Sequence, residues 1–193
     1  MEPRAVSKLL LIFTLGLLTT APAWGQTQIY TNGPVNGNLL AWDLRVNIVS
    51  NSFTVATQSS VNGVSLWVWL LQVQPSPVLS GYITSAPCAT NPPTAACGTV
   101  YGSFSNAGAL SSCFLNTSTP PANVCEYTVN FPAFSIPIGT AWINLQTVAG
   151  SAGAGWDQND GPSTAYSTAL WPPTTIIPSE TFSILGVPFV ARH

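Results

Sequence analysis

The sequence predicts an all-β protein, a single antiparallel β-sandwich of jelly-roll type, and three observations lead to this. Segments that alternate apolar and polar residues recur roughly every ten residues, with turn-forming residues between them. Seventeen prolines and fifteen glycines among 193 residues disfavour helices. Beyond the first 25 residues, no window repeats apolar residues at the i, i+3, i+4, i+7 spacing of an amphipathic helix.

The first 25 residues predict a secretory signal peptide. Arg4 and Lys8 supply its positive charge, and Leu9–Leu18 supplies its apolar run. Small residues before Gln26, or alternatively before Trp24, suit cleavage. A membrane anchor is the alternative, but the run is shorter than the roughly 20 residues that cross a bilayer. We therefore expect an exported chain with no membrane span, folded as one domain over 26–186 and ending in a short tail, 187–193.

Charge excludes one class of partner. Removal of the signal leaves two basic residues, Arg45 and Arg192, against five acidic ones, for a net charge of −3. A surface with so few cations cannot form the basic patch that nucleic acid or anionic lipid requires. We therefore expect no nucleic-acid partner, and a surface that owes its solubility to Ser, Thr, Asn and Gln.

The alternation of apolar and polar residues predicts eleven strands. The predicted strands are 28–31, 41–49, 52–57, 63–72, 81–84, 99–105, 112–115, 125–131, 140–149, 156–157 and 179–186. Segment 41–49 has the clearest alternation, with Trp42, Leu44, Val46 and Ile48 expected to point inward. Segment 63–72 is apolar on both sides, so it is either covered on both faces or exposes an aromatic, ligand-binding face.

Four cysteines after an export signal predict two disulfides. They lie in an irregular region, 86–125, and three pairings are open. We favour Cys88–Cys97 and Cys113–Cys125, because each closes a short loop, worth about 3 kcal/mol of stability in the chain-entropy model. A zinc site is disfavoured, since the sequence has no Cys-x-x-Cys pair and no histidine nearby.

Three later segments carry a resemblance to a known family. They are Gly139–Gln146 (GTAWINLQ), Trp156–Pro162 (WDQNDGP) and Ile177–Gly186 (IPSETFSILG), and an earlier match is Gly63–Leu70. Their order resembles the secreted β-sandwich domains of environmental bacteria that often precede a PEP-CTERM sorting signal. The resemblance extends from about Tyr30 to Gly186 and implies a sandwich and export, with no established activity. The tail 187–193 lacks the sorting signal itself.

Few residues qualify for catalysis or metal binding. The lone histidine is His193, which disfavours Ser-His-Asp, Cys-His and His-metal chemistry. Asp157 and Glu180 could act as acid and base on a glycosidic bond if they meet within roughly 5–10 Å across a groove. Asp157, Asn159, Asp160 and Glu180 could instead bind a structural Ca²⁺, although the spacing is not that of an EF-hand. A plain turn is the favoured interpretation of these residues.

Tryptophan supplies the remaining candidates. Trp42, Trp69, Trp142 and Trp156 are expected to fill the core, where each ring would bury a large area. Trp67 shares a face with Trp69, about 7 Å away along the strand, so the two rings could stack on a sugar chain. Core packing or a protein contact is the favoured alternative.

The sequence thus predicts an exported, non-catalytic β-sandwich that acts as a cell-surface or extracellular-matrix interaction module. A carbohydrate-binding module, with Trp67 and Trp69 as ligand-binding residues, is the first alternative. A glycan hydrolase that uses Asp157 and Glu180 is the second. No cofactor is expected beyond a structural Ca²⁺, and the partner would be a glycan or another surface protein.

Overall fold

The structure, a computed structural model, describes residues 26–35, 41–70, 76–116, 121–170 and 176–189. Within them the chain forms two antiparallel sheets that pack together, so the predicted all-β sandwich is confirmed. The predicted signal peptide, the last two residues of the predicted strand 63–72 and the end of the predicted tail lie outside the described residues.

Twelve strands lie in the described part of the chain. Sheet A contains β1 (Thr27–Thr31), β2 (Ala41–Asp43), β4 (Ser59–Leu70), β7 (Ala109–Asn116), β8 (Ala122–Ile136), β10 (Gly155–Asp157) and β12 (Phe182–Pro188). Sheet B contains β3 (Val49–Val55), β5 (Val78–Thr84), β6 (Val100–Ala107), β9 (Gly139–Thr147) and β11 (Ala165–Ser167). Short 3-10 helices follow β5 and β11, at Ala95–Cys97 and Thr168–Leu170.

Strand β4 lies at the centre of sheet A. Along one edge it pairs with β8 from Ser59 to Leu70. Along the other edge it pairs first with β12 and then, at Val68 and Trp69, with β10. A strand paired on both edges has a fixed register, and its alternate side chains are therefore assigned firmly to one face or the other.

The core lies between the two sheets and follows the predicted alternation. The inward residues of β4 are fully buried, and so are their counterparts on β8 and β9: Val64, Leu66, Val68, Leu70, Tyr127, Val129, Ala141, Ile143 and Leu145. Phe131 is 7% exposed and extends the same face of β8. Each of these three strands therefore has one fully buried face, as the predicted period of two requires.

The prediction of one strand over 41–49 is wrong. Strand β2 ends at Asp43, the next three residues form a turn, and Val46 is 76% exposed. The Asp43 carboxylate accepts a hydrogen bond from the backbone N–H of Arg45 (2.9 Å). The backbone carbonyl of Asp43 accepts one from Asn47 Nδ2 (3.0 Å). Such local bonds to the backbone compete with strand pairing. The turn carries the chain from sheet A to sheet B, where β3 begins at Val49.

Both favoured disulfide pairings are confirmed. Cys88 pairs with Cys97, and Cys113 pairs with its cross-strand partner Cys125, linking β7 to β8. Two disulfides indicate folding in an oxidising environment. In the described ranges, no helix is both long and apolar enough to cross a membrane.

Strand β12 belongs to the sheet, as predicted for 179–186, but with shifted bounds. It begins at Phe182, and it continues to Pro188, so the predicted tail donates its first two residues to the strand. Phe182 and Ile184 are buried. The Phe182 ring lies 5.5 Å from that of Tyr30, 6.4 Å from that of Phe53 and 5.7 Å from that of Trp156.

We predict that Phe182→Ala lowers the free energy of unfolding by about 3–5 kcal/mol, because it removes the centre of this aromatic cluster and leaves a cavity. Val46→Ala is the control, and it should change stability by less than about 0.5 kcal/mol because Val46 is exposed. Urea denaturation of the two variants measures both. Equally mild effects would contradict the placement of β12 in the core.

Candidate functional site

Aromatic side chains collect on the outer face of sheet A, away from the core. Trp67 and Trp69 are half-buried there, and the Phe114 ring of β7 lies 5.7 Å from the Trp67 ring and is 40% exposed. Phe114 pairs with Val124, which in turn pairs with Trp69, so β7, β8 and β4 build this surface side by side. We call Trp67, Trp69 and Phe114 the aromatic face.

The expectation that four tryptophans fill the core is correct only for Trp156, which is fully buried. Trp69 lies on the aromatic face, because its strand assigns alternate residues to opposite sides. Trp142 alternates with the buried Ala141 and Ile143, so it lies on the outer face of sheet B, stacked on Tyr166 at 5.6 Å. Trp42 is half-buried and packs at the edge of the core.

A concavity of about 360 Å³ opens beside Trp69, and we call it the Trp69 concavity. Trp69 and the Asp43–Arg45 pair line it, and the remaining lining residues are small: Ala41, Ala122, Gly155 and the segment 152–154. A Cβ at Gly155 would approach the Cβ of Ala41 to 2.9 Å, and one at Gly153 would collide with the Arg45 side chain. The depression exists because these residues have almost no side chain.

Asp43 and Arg45 form an ion pair at the rim. Arg45 Nη2 donates to Asp43 Oδ2 at 2.6 Å, and Nε donates to both carboxylate oxygens at 3.0 and 3.1 Å. The hydrogen bonds from Arg45 lower the pKa of the Asp43 carboxyl. Asp43 is 36% exposed and Arg45 is 57% exposed, so the role of the pair in stability is small, but Arg45 keeps N–H donors that Asp43 does not use.

A second concavity, of about 240 Å³, lies beside Trp67. Its lining includes Ser65, Glu126 and Thr181 together with the segment around Gly33. Both oxygens of Glu126 are engaged, since Ser65 Oγ donates to Oε1 at 2.9 Å and Ser111 Oγ donates to Oε2 at 2.8 Å. Each tryptophan of the aromatic face therefore has a depression with polar groups next to it.

Beneath this face, Asp157 holds the Trp69 ring. The side chain of Asp157 is 1% exposed, and Trp69 Nε1 donates to its Oδ1 at 2.6 Å. Thr181 Oγ1 donates to Oδ2 at 3.2 Å. Burial raises the pKa of Asp157 to about 6, against the opposing effect of the two hydrogen bonds. Asp157 was a candidate acid or ligand, and its observed contacts position a tryptophan.

Glu180 is fully buried between the sheets. Its Oε2 accepts a short hydrogen bond from Asn51 Nδ2, its backbone N–H donates to Asn51 Oδ1 at 3.2 Å, and Oε1 has no partner among the described residues. Burial raises the pKa of Glu180 well above its ordinary value, the Asn51 bond opposes this, and the nearby Asp157 charge raises it further. Ionisation of Glu180 is therefore disfavoured by its burial and by the neighbouring carboxylate.

The four candidate calcium ligands do not converge as one set. Asn159 is buried, and its Oδ1 already accepts hydrogen bonds from Asn32 Nδ2, the Gly161 N–H and Ser179 Oγ, at 3.2, 3.1 and 2.9 Å. Asp160 is exposed, unlike Asp157 and Glu180. In the described part of the chain, no three His, Cys, Asp or Glu residues are grouped as a metal would require. The calcium site stays a prediction.

Asp157 and Glu180 both have raised pKa values, as a catalytic acid can have. However, both are buried, and neither lines the concavity beside Trp69 or the one beside Trp67. A glycosidic bond must lie between two catalytic carboxyls. The observed arrangement suits a structural role for both acids.

Several residues of the site were not identified from the sequence. Phe114 reaches the aromatic face only through strand pairing, and Gly155 matters only as the floor of the concavity. One signal was available for Asp43 and Arg45: residues 26–193 contain just two basic residues, and one of them lies two positions from an acidic residue.

No protein-family model and no curated protein matches this chain.

Raised pKa values give stability a specific pH dependence. Between pH 5 and 8 the folded chain binds protons at Asp157 and Glu180 that the unfolded chain has lost, so the free energy of unfolding should fall as pH rises. Asp157 alone should contribute a loss of roughly 1–2 kcal/mol over this range. Asp43, with a lowered pKa, acts in the opposite direction but at lower pH.

Glu180→Gln keeps a neutral side chain in place and should be less sensitive to pH than the wild type over this range. Chemical denaturation of both proteins at pH 5, 6, 7 and 8 makes the comparison. Stability that rises with pH, or parallel curves for the two proteins, would contradict the assignment of buried, protonated Glu180.

Proposed function

We propose that the protein is exported and acts at the cell surface or in the extracellular matrix as a non-catalytic interaction module. Its binding surface is the aromatic face. The observation that carries the proposal is an uncovered cluster of three large aromatic side chains on a rigid central strand and its neighbours. Exposed apolar clusters on a soluble protein commonly mark interaction sites.

The exposure of the aromatic face favours a role in binding a partner rather than in packing within the protein. Phe114 is 40% exposed and Trp67 is half-buried, so both rings present apolar surface to solvent. A rigid sheet also costs little entropy to order when a ligand binds.

Export is supported by independent features. The first 25 residues have the composition of a secretory signal, and the two disulfides require an oxidising compartment. The resemblance to secreted sandwich domains of environmental bacteria agrees with both. The sparse charge of the mature chain fits a partner that does not depend on charge attraction.

A non-catalytic role is proposed because the acids best suited to hydrolysis are buried away from the two concavities. Glu180 instead bonds to Asn51 of sheet B, and Asp157 fixes Trp69. A glycan hydrolase would need both carboxyls at an open cleft. No observation favours it over the binding role.

The proposal predicts that the mature chain cosediments with cell-envelope or matrix material from the producing cells, and that Trp67→Ala weakens this at least tenfold. The matched control is Trp142→Ala, which removes a half-buried tryptophan from the outer face of sheet B. Circular dichroism melts verify that both variants fold.

Equal binding by the two variants, or no binding by the wild type, would contradict the proposed surface. Release of reducing ends from the same material would contradict the non-catalytic role.

A further inference from the structure

We propose that the Trp69 concavity binds one sugar residue of an uncharged polysaccharide. This inference rests on the proposed function and deepens it, because it names the chemical class of the ligand and a subsite for it. Four features of the concavity lead to a neutral pyranose: its size, its aromatic wall, its polar rim and its balance of charge.

Size and lining fit a single ring. A volume of about 360 Å³ lies at the lower end of the roughly 300–1,000 Å³ typical of small-molecule sites. Glycine and alanine form the floor, so the backbone lies close to whatever enters. Such a floor can contact a compact, rigid ring along its whole face, whereas a long flexible side chain would find few side chains to pack against.

The aromatic wall is fixed before any ligand arrives. The N–H of Trp69 is engaged with buried Asp157, and Asp157 is engaged with Thr181. The indole therefore has no free donor and offers apolar ring surface, which suits the C–H face of a pyranose. A ring held by a buried partner loses little rotamer freedom on binding.

The polar rim suits hydroxyl groups. The Asp43 carboxylate already accepts four hydrogen bonds from Arg45, one from its backbone N–H and three from its guanidinium. These bonds use Nε and one N–H of Nη2, so the other N–H groups of the guanidinium are left to donate to the oxygens of adjacent sugar hydroxyls. An apolar ligand would make no hydrogen bond with this ion pair.

Charge selects a neutral sugar. The two charges at the rim cancel, and the other lining residues carry none. Arg45 is the one basic side chain in the described part of the chain. An anionic sugar would therefore lose hydration without gaining an unpaired cation. Trp67, about 7 Å along β4, extends the apolar surface for the next sugar of the same chain.

The test is isothermal titration calorimetry of the mature chain with neutral hexasaccharides of glucose, xylose, mannose and N-acetylglucosamine, and with an acidic hexagalacturonate. We expect binding to at least one neutral hexasaccharide. Trp69→Ala should weaken that binding at least tenfold and Arg45→Ala at least threefold, while Trp142→Ala should leave it within twofold. Arg45 is exposed, so Arg45→Ala should fold even if Trp69→Ala does not.

Three results would overturn the inference: no binding to any neutral hexasaccharide, binding to the acidic one alone, or equal binding by Arg45→Ala and the wild type. If the protein cosediments with envelope material through Trp67 but no neutral sugar binds, this inference fails and the proposed function stands, with a protein as the partner. If cosedimentation is also absent, both fail.

Discussion

The structure depends on the register of β4. This strand is apolar on both sides and is paired on both edges, so its alternation has to decide which apolar set becomes core. Val64, Leu66, Val68 and Leu70 face sheet B and are fully buried, which leaves Trp67 and Trp69 on the outer side. A slip of one residue would exchange the two sets. The core and the proposed binding surface are thus two consequences of one strand pairing.

The buried acids Glu180 and Asp157 link the core to the aromatic face. Glu180 is held by Asn51 of β3, and its neighbour Thr181 bonds to Asp157 of β10 through both backbone and side chain. Asp157 then bonds to Trp69 on the outer face. Buried carboxyls reduce stability when ionised, yet here one of them orients a surface ring that packing alone would leave less constrained. Stability and site geometry share the same side chains.

Sequence reasoning succeeded where short-range alternation decides the structure. The alternating faces of β8, β9 and β12 followed from it, although Trp142 of β9 was expected in the core and lies on the outer face. The short loops between cysteines led to the correct disulfide pairs. It failed at 41–49, where side-chain bonds from Asp43 and Asn47 make a turn that alternation does not register. The bonds of Glu180 to Asn51 and of Asp157 to Trp69 join residues 129 and 88 positions apart, so no local pattern could show them.

The central claim is that ligand binds at the outer face of sheet A. Fluorine NMR of protein labelled with 5-fluorotryptophan tests it most directly, with each resonance assigned by a Trp→Phe variant. On titration with a soluble neutral polysaccharide, we expect the Trp67 and Trp69 resonances to shift, while those of the buried Trp156 and of Trp142 on sheet B stay in place. A shift confined to Trp142, or no shift at any tryptophan, would contradict the account.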